Sequence, residues 1–177
     1  GDVAGGIMLA HKAMHEGKVA AEVIAGERSG FDFQAIPAVV YTDPQAAAVG
    51  ATEAPFSGTL PLAEVPKTST YTHAYAEDPG FLTLLSDGDR LTGAYALGPE
   101  AGEWLQQATL AIRARVPLDV LADTIQPFPT FSEIYVGALH ALRGEVRHAG
   151  VHVISEKPLC ERVSAADIAV AIVPPGI

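Results

Sequence analysis

The chain has 177 residues, 49% of them hydrophobic, which is enough for one well-buried domain and too apolar for a disordered tail. A formal net charge of −10 argues against nucleic acid or an anionic membrane as partner. The apolar runs are short and broken, so no membrane span is expected, and one cysteine, Cys160, excludes a disulfide framework or a two-cysteine redox pair within this chain. No n-region and h-region pattern within these residues suggests export, and a cytoplasmic location is the expectation.

In chain order, residues 1–26 read GDVAGGIMLAHKAMHEGKVAAEVIAG. Leu9, Ala13, Ala20, Val23 and Ile24 mark an amphipathic helix, and Gly26 stands where a left-handed closing residue is wanted. Residues 27–36 form a connector. Residues 37–44, PAVVYTDP, read as a short strand stopped by an Asp-Pro turn, after which Thr52 or Glu53 opens a turn or short helix. Leu60, Leu62 and Val65 suggest a strand interrupted at Pro61 and Pro66, suited to a sheet edge. Tyr71, His73 and Tyr75 alternate with small residues as a second edge strand.

Residues 81–85 and 91–97 are the clearest strands, and Asp87-Gly88 between them is a strong hairpin signal. Gly98-Pro99-Glu100 turns the chain into a long helix with Trp104, Leu105, Ala108, Ala111, Ile112 and Arg115 on its inner face and flank. Pro117 prevents its continuation, and residues 117–123 form a short helix.

Residues 125–142 read IQPFPTFSEIYVGALHAL. Pro127 and Pro129 hold the backbone around Phe128 extended. Thr130 and Glu133 have the spacing of a capping box, so a helix starts here. Its inner face comprises Ile134, Ala138, Ala141 and Leu142, flanked by Tyr135 and Leu139. Together these elements give an α+β fold, an antiparallel sheet of about four or five strands with helices packed on one face.

The same phrases carry a family resemblance. Tyr41-Thr42-Asp43-Pro44 with Val49-Gly50-Ala51-Thr52-Glu53, the hairpin with Gly98-Pro99, and Pro129-Thr130-Phe131-Ser132-Glu133 resemble the C-terminal interface domain of the pyridine nucleotide-disulfide oxidoreductases. These are the dihydrolipoamide dehydrogenase-like flavoproteins. The resemblance implies a homodimerisation domain over residues 36–146 and a truncated end of an FAD-binding domain over residues 1–28. It places Asp2 on the ribityl chain of FAD and Met8, Leu9, Ala10 and His11 at the flavin ring. Read without it, Asp2 is a solvated residue and Met8 and Leu9 are core. The family pattern His-Pro-Thr-x-Ser-Glu implies an acid/base histidine oriented by the glutamate. Here the histidine position is Phe128, which carries no exchangeable proton, and Glu133 is the remaining candidate catalytic residue. His73 and His140 are the alternative proton carriers, without supporting spacing.

Residues 147–177 fall outside this pattern. Within them residues 150–159, GVHVISEKPL, are similar to the Glu-Lys-Pro segment of the glucose-fructose oxidoreductase and inositol dehydrogenase superfamily, where the lysine, here Lys157, sits near nicotinamide. That reading lacks an upstream glycine-rich dinucleotide loop. The bland alternative is an appended tail with one strand near residues 151–155 and one helix near 164–173.

Two functions remain open at this point. In the first, the chain is the interface domain of an FAD-dependent NAD(P)H oxidoreductase whose acceptor is not a disulfide, such as a quinone. The chain alone is then inactive, retaining no cofactor. In the second, it is a noncatalytic homodimerisation module. No metal site is expected in either.

Overall fold

A computed structural model describes residues 1–65 and 80–150. Among them five strands form one antiparallel sheet, β1 Ala38–Val40, β2 Gln45–Gly50, β3 Phe56–Pro61, β4 Phe81–Ser86 and β5 Leu91–Gly98, in the order β1-β2-β5-β4-β3. The β4–β5 hairpin lies inside, as its apolar content requires, with Leu82 paired to Ala96 and Leu84 to Ala94. Its turn is fastened by Ser86, whose Oγ donates to the Arg90 carbonyl at 2.7 Å and accepts the Gly88 N–H at 2.9 Å.

The helices are α1 Ala10–Ile24, α2 Ala101–Trp104, α3 Gln106–Arg113, α4 Leu118–Ala122 and α5 Ile134–His148. The core between sheet and helices includes Leu62, Leu82, Leu84, Leu105, Leu118, Ile134, Tyr135, Leu142 and Val146. The expected α+β architecture is observed.

Four local expectations change. β2 was not anticipated, because its Gln-Ala-Ala-Ala-Val-Gly sequence is poor in branched residues; pairing on both edges supplies what propensity does not. The strand expected through Leu60, Leu62 and Val65 begins earlier, at Phe56, and stops at Pro61. Residues Leu62–Glu64 form a 3-10 turn, and Leu62 and Val65 both plug the core. The long helix after Pro99 is two helices that break at Leu105. Arg115 lies on no inner face; it is exposed, in a left-handed conformation with φ 53°. The proposed strand at Tyr71, His73 and Tyr75 lies outside the described residues, as do Lys157 and most of the 147–177 segment.

α1 closes as expected, with Gly26 at φ 85°. The Gly26 N–H donates to the Val23 carbonyl and the Glu27 N–H to that of Glu22, the paired bonds of a Schellman ending. Its burial is the reverse of expectation. Lys12 is the residue of α1 that is buried, while Met14, Val23 and Ile24 are exposed. The connector accounts for the lysine: Phe31 packs edge-on against Phe33, and the Lys12 ammonium lies 5.9 Å from the Phe31 ring. Arg113 of α3 reaches both Asp32, at 3.3 Å, and the Phe33 ring.

α5 crosses β3 at two glycines. A Cβ at Gly58 would lie 2.5 Å from the Ala138 carbonyl oxygen and the Leu142 nitrogen, and one at Gly137 would lie 2.4 Å from Leu60 Cδ2. Helix and strand approach this closely because neither side chain intervenes. Gly58→Val is expected to push α5 off the sheet and lower stability by about 3 kcal/mol. Urea unfolding of the variant beside the parent chain measures the loss.

Candidate functional site

The segment leading into α5 is braced by its own polar groups. The Thr130 hydroxyl donates to the Pro127 carbonyl at 2.6 Å, and the Thr130 N–H donates to Glu133 Oε2 at 3.2 Å, so the expected capping box forms. A single 3-10 turn, Phe131–Glu133, then leads into α5. The Phe128–Pro129 peptide bond is cis. Phe131 packs against the core, whereas Phe128 is 64% exposed. The two phenylalanines, alike in sequence, therefore do different things.

Tyr135 anchors this segment from below. Its hydroxyl donates to the Trp104 carbonyl at 3.0 Å and accepts the Ala108 N–H at 3.2 Å. Trp104 and Ala108 are four residues apart and would bond directly in a continuous helix. The phenol is inserted between them, which explains the break at Leu105. Trp104 is fixed in turn by its indole N–H, which donates to the Pro99 carbonyl at 2.8 Å. Burial holds the Tyr135 phenol well above the ordinary tyrosine range.

The second group of candidate residues lies at the start of α1. Asp2 is exposed in a 3-10 turn, Asp2–Ala4. Gly5 and Gly6, both at φ 77°, bend the chain back over Lys12, whose ammonium donates to the Gly5 carbonyl at 2.9 Å. Lys12 also pairs with Glu16 at 2.7 Å, and this hydrogen bond holds the Glu16 carboxyl below its usual range. Met8 and Ala10 are exposed, and Leu9 is the extended residue before the helix, with no side-chain cap. His11 Nε2 lies 2.6 Å from the Pro37 carbonyl, tying the helix start to β1. The first N–H groups of α1 therefore keep their donor capacity and the positive end of the helix dipole. That donor set fits the electron-rich edge of a flavin ring. His140 lies on the exposed side of α5, about 9 Å along the axis from Ile134. No group of three or more metal-ligating side chains occurs among the described residues.

Comparison with known proteins decides the family. The pyridine nucleotide-disulphide oxidoreductase dimerisation domain matches residues 36–139, more than half of the chain. The chain belongs to this family. Dihydrolipoyl dehydrogenase 2 of Haloarcula marismortui is 44% identical over 158 residues, covering 84% of this chain and 33% of that protein. Dihydrolipoyl dehydrogenase of Thermus scotoductus is 40% identical, with the same coverage of both. The dimerisation domain and its flanks thus span about a third of the length of the relatives matched. The fold is shared with the HOCl-induced flavoprotein disulfide reductase RclA of Escherichia coli, at TM-score 0.68 and 22% identity over 79% of this chain and 34% of that one.

Sequence reasoning placed Glu133 at the helix start, where the structure has it, but missed the bridge made by Tyr135. The available signal was a tyrosine flanking the apolar face of α5, since a phenol at the boundary of a core seeks a hydrogen-bond partner. Tyr135→Phe leaves the Trp104 carbonyl without this donor and is expected to lower stability at neutral pH by about 1–3 kcal/mol. In the parent, unfolded tyrosine ionises near pH 10 while the folded phenol keeps its proton. Unfolded chains then bind fewer protons, and stability falls as pH rises above about 10, by up to about 1.4 kcal/mol per unit. The variant lacks that increment, so the gap between the two proteins should narrow above pH 10 in urea melts.

Proposed function

We propose that this chain is the dimerisation portion of an FAD-dependent NAD(P)H oxidoreductase of the dihydrolipoyl dehydrogenase kind, whose electron acceptor is not a disulfide. A quinone fits the requirement. The observation that carries the reading is Phe128, an exposed hydrocarbon ring where the family pattern has a proton carrier. Glu133 is retained, and its Oε2 accepts the Thr130 N–H. The carboxylate therefore acts as a helix cap, and its catalytic role is vestigial.

Residues 1–28 are read as the end of the FAD-binding domain. Asp2 would hold the ribityl hydroxyls, and the N–H groups at Ala10 and His11 would face the ring, with Met8 and Leu9 covering it. Bound there, the flavin supplies two-electron chemistry between nicotinamide and acceptor. The contribution of this chain is orientation and charge. The α1 dipole favours negative charge at the ring, and the Phe128 segment shields it without moving a proton. Reduction of a disulfide needs a positioned donor for the departing thiolate, whereas a reduced quinone takes its protons from solvent.

Two measurements test the proposal. In the full-length protein, quinone turnover should exceed disulfide turnover, the missing acid/base group being worth about 10²–10⁴-fold on the disulfide reaction. Phe128→His should raise disulfide reduction and leave quinone reduction nearly unchanged. Efficient disulfide turnover by the unmodified protein overturns the acceptor assignment.

Self-association is read onto the segment over residues 125–142, around which Val120, Ile125, Phe128 and Val136 are all exposed. Apolar side chains in this arrangement suit the centre of an interface. Sedimentation across a concentration range should show a dimer that Phe128→Asp weakens, and a strict monomer at high micromolar concentration contradicts it.

A further inference from the structure

Toward its C-terminal end, α5 turns a cationic groove outward. His140, Arg143, Arg147 and His148, with Ala122 of α4, line an open cleft of about 440 Å³. Its floor includes the bare backbone at Gly144, where an added Cβ would meet nothing within 4 Å. His148 Nδ1 lies 2.7 Å from the Gly144 carbonyl and donates to it, which leaves Nε2 without a hydrogen-bond partner among the described residues. Arg143 reaches Asp119 at 3.9 Å, the outer limit of an ion pair. Arg147 makes no ion pair among the described residues. Positive charge is thus concentrated and thinly neutralised, in a chain whose formal net charge is −10.

The helix dipole accounts for part of this. Arg147 and His148 stand in the last turn of α5, where cations are favoured. His140 and Arg143 come earlier, where the dipole effect has faded, so a second cause is needed. The shape of the groove supplies one. Residues 140–148 rise by about 12 Å along the helix, more than one inorganic anion spans, and equal to about four residues of extended peptide. Duplex nucleic acid would require a broader basic surface than an acidic chain offers. An isologous contact centred on the groove would set like charges of two copies against each other.

We propose that this groove docks an acidic peptide segment of a partner protein, with carboxylates meeting Arg143 and Arg147 and the helix flank at Gly144 giving the backbone room. The groove adjoins the 125–142 segment, sharing His140 and, at its rim, Val136 with it, but Phe128 does not line it, and the proposal holds whichever electron acceptor the full-length protein uses.

The probe is fluorescein-labelled hexaglutamate, titrated against the full chain at about 50 mM salt, where such contacts are least screened, and read by anisotropy. Saturable binding is expected. It should weaken about tenfold or more in Arg143→Glu/Arg147→Glu, and about threefold in the milder Arg147→Gln. Arg28→Glu, on the connector, should leave it unchanged, and circular dichroism of each variant checks folding. Equal affinity in the parent and the double variant overturns the proposal. So does displacement of the peptide by an equivalent concentration of inorganic phosphate, or tighter binding of oligothymidylate than of hexaglutamate. Disruption of a self-associated species by Arg147→Gln, with peptide affinity unchanged, reassigns the groove to contact between copies.

Discussion

A single phenolic hydroxyl joins the two halves of the helical layer. The sheet order β1-β2-β5-β4-β3 puts α5 over the β3–β4 side, α2 over β1 and β2, and α3 over β2 and β5. Tyr135 crosses that division, filling the gap in the backbone ladder between Trp104 and Ala108. Both of its bonds are buried, where an unmatched polar group is costly and a matched pair specifies one arrangement. Without such a bridge α5 would meet α2 and α3, among the described residues, through apolar contacts, which fix position less sharply.

The placement of the Phe128 segment follows from this bridge. Tyr135 is two residues beyond Glu133, so the anchor and the cap sit within one turn of each other. The helix start is held from inside by the phenol and from outside by the Thr130–Glu133 bond. Close packing at Gly58 and Gly137 sets the height of the same helix above the sheet. The exposed Phe128 ring therefore projects from a short, doubly braced turn, a geometry suited to presenting one residue at a fixed point.

Much of this was legible in the sequence because local rules agree with the fold. The Asp87-Gly88 hairpin, the Thr130–Glu133 cap and the Gly26 helix ending each depend on residues within a few positions of each other. The α5 core face was read from spacing alone, and Ile134, Ala138 and Leu142 are all buried. Illegible features depend on distant partners. β2 is a strand because two neighbours pair with it, and the helix break at Leu105 exists because a side chain thirty residues away enters it. Phe128 and Phe131 have equal hydrophobicity, and only the direction of the turn separates an exposed ring from a core one. The cationic groove was equally hidden, since the acidity of the whole chain masks four basic side chains gathered on one helix.

The reversed burial of α1 bears on which part of the fold the helix belongs to. A helix that belonged mechanically to the preceding domain would be gripped by that domain and touch this one lightly. Here the grip comes from this side: the Phe31–Phe33 pair closes on Lys12 and His15, Arg113 clasps the connector, and His11 is tethered to the carbonyl before β1. Residues 10–36 thus travel with the sheet as one body. If a nucleotide-binding part precedes this chain, as proposed above, a swing between the two would leave α1 with the sheet. The helix start proposed above to meet the flavin would then belong mechanically to the dimerisation domain, so the two domains would share the flavin site between them.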